Sequence, residues 1–182
     1  MPLMTRNPWW RCRGLGGARI VGLAVALIGT GCVTTPPEGV ITAPVAAVLA
    51  PDSRAAEFGA TGADILRNPR LADKLRALFG GDWTGGRPGG TAVGAEQFFS
   101  RSAPPRLVRI GTVDYVAVAG CRASACARDR GLLLVRADGN ELLGRIDEGG
   151  FVHYYGYGTE VDMGFAGRER VNAAWRAVTP PA

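Results

Sequence analysis

Cys121 and Cys126 bracket a six-residue stretch, Cys-Arg-Ala-Ser-Ala-Cys, set between two apolar runs, Val113–Ala119 and Gly131–Ala137. In an oxidising compartment such a pair forms a disulfide. The spacing is not the Cys-x-x-Cys of thiol oxidoreductases, and no further Cys or His offers zinc a third ligand. In the chain-entropy description so short a loop stabilises the fold by only about 2 kcal/mol. Its larger effect is to order the loop before it meets a partner, because residues already fixed cost less to fix on binding. A covalent loop joining two strands is a rigid projection, suited to entering a cleft. Arg122, Arg128 and Arg130 surround it, with Asp129 among them. Their planar guanidiniums can grip carboxylates in bidentate fashion, so the loop matches an acidic cleft; solvated arginines at a hairpin end are the plainer alternative.

The remaining candidate chemistry is thin. His153 is the sole histidine and lies in Phe-Val-His-Tyr-Tyr-Gly-Tyr, where alternation puts Phe151, His153, Tyr155 and Tyr157 on one face. One histidine argues against a histidine-rich metal site and against a Ser-His-Asp triad. Asp147 and Glu148 are neighbours on a strand, so their carboxylates point to opposite faces rather than forming an acid/base pair. The Gly81-x4-Gly86 spacing is followed by Arg87-Pro88 where a phosphate loop needs Lys and Ser/Thr, and no apolar strand precedes it. Gly156-Tyr157-Gly158 has Val161 where a dinucleotide fingerprint needs its third glycine. The expectation is a non-enzymatic protein with no catalytic residue, no metal and no cofactor.

The front of the chain decides the compartment. Arg6, Arg11, Arg13 and Arg19 precede an uncharged run from Ile20 to Val33, only 14 residues long. That is short of the roughly 20 residues a spanning helix needs and reads instead as a secretory signal. Thr30-Gly31-Cys32 resembles the lipobox of bacterial lipoproteins, with Gly29 where an aliphatic residue is usual. The resemblance implies lipidation of Cys32 by acyl chains such as palmitate. With Val33 rather than Asp after the cysteine, it implies a periplasmic protein anchored to the outer membrane rather than the inner. Four of the 21 basic residues precede Cys32, which leaves 17 against 16 acidic ones beyond it. The basic balance therefore belongs to the signal and gives no argument for nucleic-acid binding.

Three regions follow: a signal peptide over 1–31, a flexible tether over 32–62 rich in Ala, Pro, Thr and Gly, and a folded domain over 63–178. About 116 residues suffice for one core. Asn68-Pro69 predicts the start of a helix with Leu71, Leu75, Leu78 and Phe79 on one stripe, stopped by Gly80. From Arg106 the period becomes two. Strands are expected over Arg106–Ile110, Val113–Ala119, Gly131–Ala137, Leu142–Asp147 and Phe151–Tyr157, with turns at Asp138-Gly139-Asn140 and Glu148-Gly149-Gly150. Short connections imply an antiparallel meander. A last helix over 164–178 carries Phe165, Val171, Ala174, Trp175 and Val178 on its apolar side. The expected fold class is α+β: a five-stranded antiparallel sheet, helices packed on one face, and a protruding disulfide loop.

Val113-Asp-Tyr-Val-Ala-Val-Ala-Gly-Cys121, the cysteine loop, Ala127-Arg-Asp-Arg-Gly-Leu-Leu-Leu-Val135 and Leu143-Gly144-Arg145 resemble the Ivy family of periplasmic inhibitors of vertebrate lysozyme. The resemblance covers about residues 106–147. In that family a disulfide-closed loop, usually Cys-Lys-Pro-His-Asp-Cys, protrudes from an antiparallel sheet into the cleft of c-type lysozyme, and its histidine engages the catalytic carboxylates. Here Arg122 keeps the positive charge, while Ala123, Ser124 and Ala125 stand where the family has Pro, His and Asp. The resemblance implies a binding loop of Arg122, Ala123, Ser124 and Ala125, flanked by Arg128 and Arg130. The implied partner is c-type lysozyme or a related cell-wall glycosidase. The alternative is an Ivy-like lipoprotein that binds another cell-wall factor, such as a lytic transglycosylase, without inhibiting lysozyme. Homodimerisation is left open.

Overall fold

The computed structural model describes residues 44–158 and 163–178. The signal peptide, Cys32 and the tether up to residue 43 lie outside the described residues. The fold is α+β around one antiparallel sheet of seven strands. These are β1 (Ala46–Val48), β2 (Arg101–Ser102), β3 (Arg106–Ile110), β4 (Val113–Cys121), β5 (Arg130–Arg136), β6 (Leu142–Glu148) and β7 (Phe151–Tyr157). Their order is β1-β3-β4-β5-β6-β7, with β2 pairing to the far end of β4. The five strands expected from alternation are all present; β1 and β2, at three and two residues, are too short to show any.

Helices cover both faces of the sheet, which corrects the expectation of one. The first face carries α1 (Gly62–Leu66), α2 (Ala72–Phe79) and a 3-10 turn over Ala95–Phe99, packed on Leu107, Val116, Val118, Leu133, Val135 and Ile146. The second carries α3 (Phe165–Val178), whose Val171, Ala174, Trp175 and Val178 pack on Val108, Tyr115, Ala117, Leu132, Leu134 and Leu143. The reason lies in β5. Leu132, Leu133, Leu134 and Val135 are all fully excluded from water, and consecutive strand residues point to opposite faces, so both faces must be roofed. Phe165, expected on the apolar side of α3, is instead 66% exposed at its first turn.

The domain also begins earlier than expected. Residues 44–62, assigned to the tether, contain β1 paired to β3, a 3-10 turn over Ser53–Ala56, and Phe58 at 2% exposure in the core. Arg54 reaches across to Asp114 of β4 at 2.9 Å. Thr61 and Asp64 form a reciprocal cap for α1, each side chain accepting the other's backbone N–H; Thr61 lies in the stretch expected to be tether, so this start signal was missed. Asn68 does not cap α2 directly. Its side chain accepts from the Arg70 N–H and donates to the Phe58 carbonyl, forming a turn that delays the helix to Ala72.

A chain beginning at Ala63 would lose β1 and Phe58. It should unfold at lower denaturant than one beginning at Pro44, and Phe58→Ala alone should cost about 3–5 kcal/mol by denaturant titration. A second expectation comes from two buried phenols. Burial, reinforced by hydrogen bonds to Glu141 (2.7 Å) and Asp82 (2.9 Å), pushes Tyr115 and Tyr155 well above the ordinary phenol range. Their folded forms hold the proton, so the stability they contribute is complete below the unfolded phenol value and falls once pH rises through it. Above about pH 10, stability should drop by about 1.4 kcal/mol per pH unit for each tyrosine. Tyr155→Phe should flatten that slope in alkaline unfolding curves.

Candidate functional site

The disulfide between Cys121 and Cys126 is present, with the two Cα atoms 4.9 Å apart. Cys121 is the last residue of β4 and pairs with Arg130, the first of β5, so the loop is the connection of the central hairpin. Inside it the chain makes two successive turns. The Ala125 N–H bonds the Arg122 carbonyl at 2.9 Å, and the Arg128 and Asp129 N–H groups both bond the Ala125 carbonyl, at 2.9 and 2.8 Å. Ala123 and Ser124 stand exposed at the tip, and Ala125 is half-buried beneath them.

Two residues outside the cysteine bracket hold the loop's stem. Ser100 donates its hydroxyl to the Cys121 carbonyl at 3.3 Å and accepts the Ala123 N–H at 3.1 Å. It is delivered there by the 3-10 turn Ala95–Phe99, whose Phe98 and Phe99 are buried against the sheet. That approach requires glycine beneath it. A Cβ at Gly120 would come within 2.9 Å of the Phe99 Cα, and one at Gly131 within 2.8 Å of the Phe99 ring. The second residue is Asp129, whose side chain is 2% exposed and pairs with the Arg122 guanidinium. Asp129 also accepts the Gly149 N–H at 3.2 Å, tying the loop to the turn between β6 and β7. Ser100 gives no sequence signal, because only the folded chain brings it beside a loop some twenty positions on.

The three arginines divide. Arg122 is 25% exposed and turned back onto Asp129, so it braces the stem. Arg130 shares its parity with Leu132 and Leu134 and therefore faces α3. Its guanidinium lies 5.1 Å from the Trp175 ring centre and 4.0 Å from Asp147. Expected beside the loop, it belongs to the second face of the sheet instead. Arg128 is exposed and makes no side-chain hydrogen bond or ion pair with any described residue. It is the cation the loop region offers to solvent.

Asp147 and Glu148 diverge as alternation requires. Asp147 accepts from Nε and Nη2 of Arg145 at 2.7 and 3.0 Å, while Glu148 accepts the Ala92 N–H at 2.8 Å on the other face. His153 sits half-buried on β7. Among the described residues no three His, Cys, Asp or Glu side chains gather to hold a metal ion, and no described helix is long and apolar enough to cross a membrane. No protein-family model, curated protein or solved structure matches this chain.

Asp129→Ala would leave the Arg122 charge and the Gly149 N–H without their partner. The expected cost is about 1–3 kcal/mol, with faster amide exchange at Arg122 and Gly149. Unchanged exchange at both would show that the carboxylate does not hold the loop.

Proposed function

We propose that this chain is an envelope-anchored, non-catalytic binder that inserts its disulfide loop into the cleft of c-type lysozyme or a related cell-wall glycosidase. The observation that carries the reading is the loop itself. It is a short covalent ring at the end of the central hairpin, with its stem fixed by Ser100 and Asp129 and its tip left to solvent. A loop fixed before binding loses little freedom when it docks, which is how a small projection attains affinity. A glycosidase cleft is acidic because its chemistry uses two carboxylates, and a cation entering it gains a charge-assisted contact. On this reading Arg128 supplies that contact and Arg122 positions the tip. Lipidation at Cys32 and the 32–43 stretch would hold the domain at the periplasmic face of the outer membrane.

A second reading rests on the tip. Ala123 and Ser124 carry no titratable group, so the contact a loop histidine would make with catalytic carboxylates is missing. The loop would then suit a different cell-wall factor, such as a lytic transglycosylase, without inhibiting lysozyme.

The test is titration of the oxidised full-length chain, in mild detergent, against c-type lysozyme while following cell-wall lysis. Saturable inhibition should appear, vanish on reduction of the disulfide, and weaken about tenfold in Arg128→Ala, a difference of about 1.4 kcal/mol. Full lysis in the presence of folded, oxidised protein would rule out the lysozyme reading and leave the second one.

A further inference from the structure

Away from the cysteine loop, four consecutive residues of β7 (Val152, His153, Tyr154 and Tyr155) line a single groove of about 480 Å³. Successive strand residues point to opposite faces. A cavity touching four in a row must therefore run along the outer edge of the strand. β7 closes one side of the sheet: it pairs with β6 along its whole length, and no described strand pairs with its other edge. That edge presents the backbone N–H and C=O groups of alternate residues without a ladder partner. From Phe151 to Tyr157 the strand has no Lys, Arg, Asp or Glu, and Phe151 is 75% exposed. It thus lacks the charges with which natural edges repel another strand.

The walls of the groove are cationic. On the first-face side Arg87 lies across the glycine backbone of the loop after α2: a Cβ at Gly81 would come within 3.0 Å of its Cδ. Its Nε is 3.5 Å from Asp82, a buried carboxylate already hydrogen-bonded by the Tyr155 hydroxyl and the Thr91 N–H. On the second-face side Arg168 stacks 5.5 Å from the Tyr154 ring centre and donates from Nε to the Met163 carbonyl at 3.0 Å. Its terminal nitrogens are unbonded among the described residues. Among the described residues the groove wall carries two guanidiniums and one carboxylate beside an uncharged strand.

We infer that the outer edge of β7 is a docking site for an extended acidic peptide segment of a partner protein, added to the sheet as a further strand. Main-chain hydrogen bonds to β7 supply affinity, and the two arginines select the sequence. Because Arg87 and Arg168 approach from opposite faces, the peptide must carry carboxylates on both of its own faces, which two adjacent acidic residues provide. The inference is independent of the lysozyme reading, since the cysteine loop takes no part in it.

The probe is a fluorescein-labelled heptapeptide, Thr-Val-Glu-Glu-Val-Thr-Val, titrated by anisotropy against the full-length chain in non-ionic detergent. The control replaces both Glu by Lys. The Glu peptide should bind, slow hydrogen exchange across residues 151–157, and weaken about tenfold or more in the double variant Arg87→Ala/Arg168→Ala. Arg87 pairs with buried Asp82, so circular dichroism checks the melt of the double variant. Arg168→Ala alone, at an exposed residue with no ion pair among the described residues, should keep its melt and still weaken binding of the Glu peptide. The Lys peptide should bind at least about tenfold more weakly. Absence of binding up to about 1 mM peptide, equal binding of the Lys peptide, or binding without protection of β7 would each overturn the inference. Concentration-dependent protection of β7 with no peptide added, accompanied by dimer in sedimentation, would also overturn it and assign the edge to a second copy of the chain.

Discussion

The constraint on which the rest of this structure depends is the burial of β5 from both sides. Leu132 through Val135 have no solvent exposure at all. A fully buried Leu or Val is worth about 1.5–3 kcal/mol relative to exposure, so four in succession favour roofing both faces strongly. The helices, the 3-10 turn over Ala95–Phe99 and the entry segment with Phe58 supply those roofs. The β4–β5 hairpin is consequently packed on both of its faces. The disulfide loop, being its connection, is held at its base by that packing.

Around this core the irregular segments are held by three buried carboxylates, each joining parts of the chain distant in sequence. Asp82 fastens the glycine-rich loop to Tyr155 of β7. Asp129 fastens the cysteine loop to the turn at Gly149. Glu141 accepts the Tyr115 hydroxyl and lies within 3.5 and 3.8 Å of Arg136 and Arg170. A buried carboxylate without such partners would be heavily penalised, so each one pins its loop to a single arrangement. The two surfaces that face outward, the loop tip and the β7 edge, are thereby presented by a framework that has little freedom of its own.

The cysteine loop differs chemically from what its spacing alone conveys. Arginine beside a cysteine reads as a charge offered to a partner, yet Arg122 is consumed by Asp129, and Arg130 by Trp175 and Asp147. What remains at the surface is a small, uncharged tip of Ala123 and Ser124 with Arg128 beside it.

Alternation along residues 106–157 was enough to place five strands, both tight turns and the disulfide, because each is decided by neighbours within a few positions. The Thr61–Asp64 cap was missed, because residues 32–62 read as a tether, and the unbroken apolar run at Leu132–Val135 implied two roofed faces, which the one-sided expectation also missed. β1 and β2 were not legible, since two or three residues carry no period and pair only because β3 and β4 are already in place. Nor were the roles of Ser100, Asp129 and the arginines. Which charge meets which carboxylate is settled by the parity of each residue on its strand and by turns that bring Gly149 and Ser100 to the hairpin's end. The sequence by itself determined five of the sheet's seven strands and the covalent loop, through local periodicity and spacing. Only the tertiary structure decided which side chains the loop and the β7 edge leave exposed, because that depends on contacts such as Ser100–Cys121, Asp129–Gly149 and Arg130–Trp175, which join residues twenty or more positions apart.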